Sequence, residues 1–279
     1  MTSGTSEPAG RRGAVGQVLV RHVGPDGSSS APDDLVVEEP LEIRLDGHPV
    51  ATTMRSPGHD FELAVGFCLA DGLLGGTPVS GVRYCDGPCG PGPTTYNTVE
   101  VSTGGRAPVP AARLGFVSSS CGACGSTAID ELCLRMAPLD PLGGVDPALV
   151  AEVVAAAGAA APVFARTGAA HAAAAFALDT GALAVLREDI GRHNAVDKVN
   201  GRLLLDGRLP ADGLGLYVSG RASFELVQKA WAGGFRLLIA VSGPSALAVR
   251  TARTAGMTLV GFARGSRMNL YAPAPLSEA

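Results

Sequence analysis

The sequence predicts an α/β protein, with a layered α/β domain in its C-terminal half and a smaller α+β unit before it. Three observations carry that prediction. Between residues 214 and 265, strand-like and helix-like runs alternate with short connections, which calls for parallel strands joined by right-handed crossovers. Nearer the N-terminus, strand-like runs at 17–23 and 34–43 precede a single helix-like run at 60–70. A stretch containing Pro and Gly from 138 to 147 separates the two patterns. The expected division is a flexible tail over 1–16, an N-terminal α+β domain over 17–137 and a C-terminal α/β domain over 138–275.

Taken in order, residues 1–16 and 24–34 are rich in Gly, Ser, Pro and charge, and read as tail and loop. Ser56 and Pro57 predict a helix start, serine as cap and proline in the first turn, and Gly72 predicts its stop. Phe61, Leu63, Ala64, Phe67 and Cys68 fall on one face of that helix, which makes Cys68 a core residue. Residues 127–136 show helical spacing, with Ile129, Leu132, Cys133 and Met136 inward and Ser126 as cap. Residues 149–157 predict another helix, and 164–186 predict strands turning at Asp179-Thr180-Gly181. Then follow a strand over 214–220, a helix over 223–232 stopped by Gly233-Gly234, a strand over 236–243, a helix over 244–255 and a strand over 257–265.

Composition narrows the class. The chain has 279 residues, 46% hydrophobic and 17% charged, as expected of a folded globular protein of more than one domain. Its net charge of −4 gives no bulk attraction to nucleic acid or an anionic membrane. Six cysteines are too few for a disulfide-stapled secreted scaffold. The Arg11-Arg12 pair is followed by an apolar stretch too short for a signal peptide, and the alanine-rich 169–177 run is far short of a membrane span. A reducing cytoplasm is the expected compartment, with thiols that are free, metal-bound or catalytic.

The run Ser118-Ser119-Ser120-Cys121-Gly122-Ala123-Cys124-Gly125 places a CxxC just before a helix-like segment. A helix N-terminus favours thiolate and lowers a cysteine pKa from about 8.5 towards roughly 3.5–7.5, which makes a nucleophile at neutral pH. Zinc competes for the same residues, because Cys85 and Cys89 form a CxxxC that together with Cys121 and Cys124 would make a four-cysteine site. A zinc deaminase needs H-x-E before P-C-x-x-C, whereas here His171 is followed by two alanines and the CxxC precedes it. No P-loop is present either.

Parallel strands leave their carboxyl ends on one sheet edge, so Ser219-Gly220-Arg221, Ser242-Gly243-Pro244 and Arg264-Gly265-Ser266-Arg267 are expected to open onto one crevice. Two of these loops lead into helix N-termini, which favour anions, and arginines join them there. Read blandly, the Ser-Gly pairs only make turns and the arginines only solvate the surface. The polar run over 187–201 adds His193 and Asp197, four apart on one helix face, where the carboxylate would orient the imidazole. A structural His–Asp pair is the plainer alternative.

Six segments together resemble the FdhD family of formate dehydrogenase accessory sulfurtransferases. They begin at Arg55-Ser56-Pro57-Gly58-His59-Asp60, Ser120-Cys121-Gly122-Ala123-Cys124-Gly125, Thr167-Gly168-Ala169-Ala170-His171, Glu188-Asp189-Ile190-Gly191-Arg192-His193, Ser219-Gly220-Arg221-Ala222-Ser223-Phe224 and Gly261-Phe262-Ala263-Arg264-Gly265-Ser266-Arg267. The resemblance runs from about residue 17 to 272. It implies a cytidine-deaminase-like α/β domain and a cytoplasmic, dimeric sulfur carrier. Such a carrier passes sulfur from a cysteine desulfurase to the molybdenum bis(molybdopterin guanine dinucleotide) cofactor destined for formate dehydrogenase. By motif position, Cys121 would carry the persulfide and Cys124 assist. Phe262, Ala263, Arg264, Gly265, Ser266 and Arg267 would meet the cofactor, with Arg221 and His193 beside them. A zinc-stabilised protein, or a chaperone that holds cofactor without moving sulfur, is the alternative.

Overall fold

The computed structural model describes residues 13–85, 96–110 and 136–273. Those residues form twelve strands and six helices arranged in three sheets. β1 (Val15–Gly24) and β2 (Gly27–Val36) pair antiparallel as a two-stranded ribbon. This corrects the loop expected over 24–34 and the tail expected to reach residue 16. The Ser-, Pro- and Asp-rich sequence of β2 has little strand propensity of its own, and pairing along all of β1 imposes the extended form. The single strand expected over 34–43 is likewise broken at Val37-Glu38, where β2 ends and β3 begins.

β3 (Glu39–Leu45), β4 (His48–Arg55), β5 (Gly81–Tyr84) and β6 (Thr98–Ser102) make a four-stranded sheet in the order β4-β3-β6-β5. Helix α1 (Asp60–Ala70) packs Leu63, Ala64, Phe67 and Cys68 against Leu41, Ile43, Val99 and Val101. Cys68 is a core residue as expected, and burial pushes its thiol up. The start of α1 differs from expectation. His59 is the cap residue and makes no side-chain cap bond, while Ser56 Oγ accepts the Ile190 N–H at 3.1 Å. The hydroxyl that looked like a helix cap instead joins the loop after β4 to a distant segment.

The six-stranded sheet has the order β12-β11-β10-β9-β7-β8. It contains β7 (His171–Ala177), β8 (Leu183–Asp189), β9 (Leu214–Val218), β10 (Leu237–Ala240), β11 (Thr258–Arg264) and β12 (Arg267–Ala272). β9, β10 and β11 are mutually parallel, as the alternating pattern predicts. Alternate residues of these strands face opposite layers. Ala173, Leu216 and Leu238 pack beneath α4 (Arg192–Leu205), α5 (Phe224–Ala232) and α6 (Ala246–Ala255). Ala174, Tyr217 and Ile239 pack beneath α2 (Pro147–Ala159).

The stretch expected to be strand from residue 164 begins instead as helix α3 (Pro162–Thr167). Pro162 sits in its first turn, and the Glu188 carboxylate accepts the N–H groups of Val163 and Phe164 at 2.9 and 2.7 Å. That capping group arrives from β8, so the local sequence gives no sign of it.

The two halves meet where α1 crosses α4. A Cβ on Gly66 would lie 1.8 Å from the Asp197 carbonyl oxygen, and one on Gly201 would lie 1.8 Å from that of Glu62. The helices therefore touch backbone to backbone, a separation that only glycine at both positions permits. No described helix is long and apolar enough to cross a membrane.

Candidate functional site at the sheet edge

β7 runs antiparallel to both β8 and β9, so β8, β9, β10 and β11 share a direction and end at the same edge. β7 and β12 begin at that edge, with His171 and Arg267. Backbone hydrogen bonds lace the loops there together: Ser219 N–H to the Ala172 carbonyl at 2.9 Å, Ser242 N–H to Gly220 at 3.2 Å and Phe262 N–H to Ser242 at 3.2 Å. The structure thus brings the three loops named from the sequence side by side.

Arg221, Arg264 and Arg267 are exposed here, and among the described residues none is in an ion pair. Arg264 and Arg267 face each other across the hairpin that Gly265 and the exposed Ser266 turn. Phe262 is 46% exposed in the left-handed region at φ 52, and its ring lies so close over Gly243 that a Cβ there would sit 2.7 Å away. Ala263 is fully buried in the core beneath α2, so its side chain does not reach the edge.

His193 lies at the start of α4, nearly buried, with Nε2 2.9 Å from Glu225 Oε2 and 3.3 Å from Ser223 Oγ. The imidazole is therefore held from α5. Asp197, expected to orient it, instead pairs with Lys229 at 2.7 and 2.8 Å, because the same helix turn places its carboxylate inside the interior between α4 and α5. Glu225 is the residue that sequence reasoning missed. An acid two positions after Ser223, in the first turn of a helix opening on the edge, is the signal that could have found it. His171 stands beside Gly220, and burial followed by the Arg192 and His193 charges lowers its pKa.

Much of the polar run over 187–201 faces inward. Arg187 Nη2 donates to Glu62 at 2.8 Å, and Lys198 pairs with Asp189 at 2.7 Å while also donating to the carbonyls of Ser56 and Glu188. Asp189 further accepts the N–H groups of Ser56 and Gly191 and the Asn194 amide. Arg55 forms a comparable buried fork with Asp60 at 3.0 Å. Cys121, Cys124 and Cys89 lie outside the described residues, and Cys85 is half-buried just past β5.

Comparison with known proteins agrees with this architecture. A model of the FdhD/NarQ family matches residues 36–275. The chain is 49% identical over 251 residues to a sulfur carrier protein FdhD of Streptomyces avermitilis, covering 88% of this chain and 89% of that one. It is 49% identical over 255 residues to the protein of the same name from Nocardia farcinica, covering 90% of each. A crystal structure assigned to a formate dehydrogenase accessory protein of Desulfotalea psychrophila superposes with a TM-score of 0.73, covering 94% of this chain and 98% of that one at 23% identity. The chain belongs to the FdhD/NarQ family.

Proposed function

We propose that this chain takes sulfur from a cysteine desulfurase as a persulfide on Cys121 and delivers it to the molybdenum bis(molybdopterin guanine dinucleotide) cofactor for a formate dehydrogenase. It would do so in the cytoplasm, as a homodimer, with the 17–137 part presenting the cysteines and the 138–275 part holding the cargo. The observation that carries this reading is the Ser120-to-Gly125 motif within a family whose relatives are named sulfur carriers. The edge geometry supports it too. Arg221, Arg264 and Arg267 carry guanidinium forks that no acid among the described residues neutralises, and such forks suit diphosphates.

The chemistry is thiol exchange. The Cys121 thiolate attacks the terminal sulfur of the donor persulfide, the donor thiolate leaves, and Cys121 becomes a persulfide. Cys124 thiolate then attacks the inner sulfur, the outer sulfur departs as hydrosulfide towards the metal, and a Cys121–Cys124 disulfide is left for a dithiol reductant. Mass spectrometry after incubation with desulfurase and cysteine tests this reading. One added sulfur on the wild type, none on Cys121→Ala, and a persulfide that forms but is released slowly on Cys124→Ala are expected. A Cys121→Ala protein that still gains the sulfur would sink the assignment. A wild type that binds cofactor but never gains sulfur would make the protein a holding chaperone.

A further inference from the structure

The first turns of α4 and α5 both open on the sheet edge and are tied together by side chains. His193, the second residue of α4, places Nε2 2.9 Å from Oε2 of Glu225, the second residue of α5, and 3.3 Å from Oγ of Ser223, the α5 cap residue. A carboxylate only accepts, so Nε2 carries a proton and donates it to Glu225. Ser223 has the extended backbone of an N-cap, yet its hydroxyl makes no cap bond. It turns to His193 instead, so α5 forgoes a local stabilising bond for one to another helix.

Each of the tied turns has an edge cation next to it. Arg192 directly precedes His193, and Arg221 lies two residues before Ser223. A Cβ on Gly220 would meet Arg192 Cδ at 3.9 Å and His171 Nδ1 at 3.5 Å, so the Arg192 stem lies over the backbone that leads into Arg221. Among the described residues Arg192 is in no ion pair, and its Nε is buried with no hydrogen-bond partner. Packing against the loop, and not an acid, therefore holds this guanidinium. The backbones of Arg192 and Arg221 are set by the two helix starts that His193 and Glu225 join.

We propose that Glu225 is a positioning residue: through His193 it fixes the starts of α4 and α5 so that Arg192 and Arg221 converge on one phosphate group. Arg192 thereby joins Arg221 in holding the anion. That the anion belongs to the cargo's diphosphate rests on the carrier reading above. Charge alone would give Glu225 the opposite effect. An acid beside a phosphate site repels the phosphate, so Glu225 can favour binding only through the geometry it imposes.

Calorimetric titration of the full chain with GDP tests this. Glu225→Ala should weaken GDP binding about fivefold, although it removes a negative charge from the edge. Glu225→Gln should match or exceed wild-type affinity, because its carboxamide oxygen still accepts the Nε2 proton while the repulsive charge is gone. In an Arg192→Ala/Arg221→Ala background, Glu225→Ala should no longer weaken binding, since nothing remains to be positioned. Ser223→Ala loses a hydroxyl that makes no cap bond. It should therefore keep its melting temperature and bind GDP about threefold more weakly. If Glu225→Ala does not fold, unchanged GDP binding in Ser223→Ala overturns the proposal. Glu225→Ala binding that is unchanged or tighter overturns it, as does a Glu225→Gln loss as large as that of Glu225→Ala. A Glu225→Ala loss of equal size with and without the two arginines would show a general structural role and overturn it too. So would a wild type that binds no GDP. Persulfide formation on wild-type Cys121 is measured on its own, so either reading can fail while the other stands.

Discussion

Cations at the crossing of α1 with α4 and cations at the sheet edge are treated in opposite ways. Arg55, Lys198 and Lys229 are buried, and each is matched to a carboxylate, Asp60, Asp189 and Asp197 respectively. Arg221, Arg264 and Arg267 are exposed and, among the described residues, paired with no acid. A buried charge without a partner costs several kcal/mol, so interior cations must be neutralised within the fold. An exposed one is solvated and can wait for a ligand. The same side-chain types thus hold the two halves together at one place and present a binding surface at another.

Lys198→Ala attacks the interior side of this contrast and has the largest expected effect. It removes the ammonium that pairs with Asp189 and leaves the carbonyls of Ser56 and Glu188 without that donor. Breaking a buried pair by losing one partner costs about 3–5 kcal/mol, read as a lower urea midpoint. A loss below about 1 kcal/mol would mean that Asp189 is held well enough by its N–H donors alone, and the ion pair would no longer count as structural.

The contrast also explains what could be read in advance. The β9-α5-β10-α6-β11 unit was legible because its strand-like and helix-like runs alternate with short connections, and Gly233-Gly234 marks the end of one of its helices. β2 and α3 were not, because what makes them is a partner distant in the chain: all of β1 in one case, Glu188 in the other. The run over 187–201 was legible as unusual and misleading in kind. Its density of charge looked catalytic, yet Arg187, Asp189, Asn194, Asp197 and Lys198 all bond inward, leaving Arg192 and His193 near the edge. Polar density alone does not separate a buried network from a site. Cys121 and Cys124 are assigned by their motif, since they fall outside the described residues.

Glu62→Gln tests the same junction by pH. Burial raises the Glu62 carboxyl, but hydrogen bonds from Arg187 and His59 outweigh it and bring it down from 4.5 to about 2. A carboxyl depressed in the folded state gives stability that is present above its unfolded pKa and is lost on acidification. The wild type should therefore lose on the order of 2 kcal/mol from this group as pH falls from about 4.5 towards 2. The glutamine variant should show a correspondingly flatter acid limb in unfolding titrations. If the two proteins lose stability in parallel over that window, Glu62 does not carry the coupling between α1 and β8.

Arg264→Ala tests the other side, with the smallest effect on stability. Surface substitutions away from packed or bonded features stay within about 0.5 kcal/mol. Here the sign is also constrained, because Arg264 lies directly opposite Arg267 across the hairpin, and like charges so placed repel. Removing one should leave the melting temperature unchanged or slightly raised. Binding of GDP, a diphosphate probe, should weaken by about tenfold, the loss of one charge-assisted contact, with a shallower dependence on salt. Those two readouts move in opposite directions only if the fold tolerates a repulsive pair at its edge for the sake of a ligand. A drop in both would show an internal bond for Arg264 and place it with the interior cations.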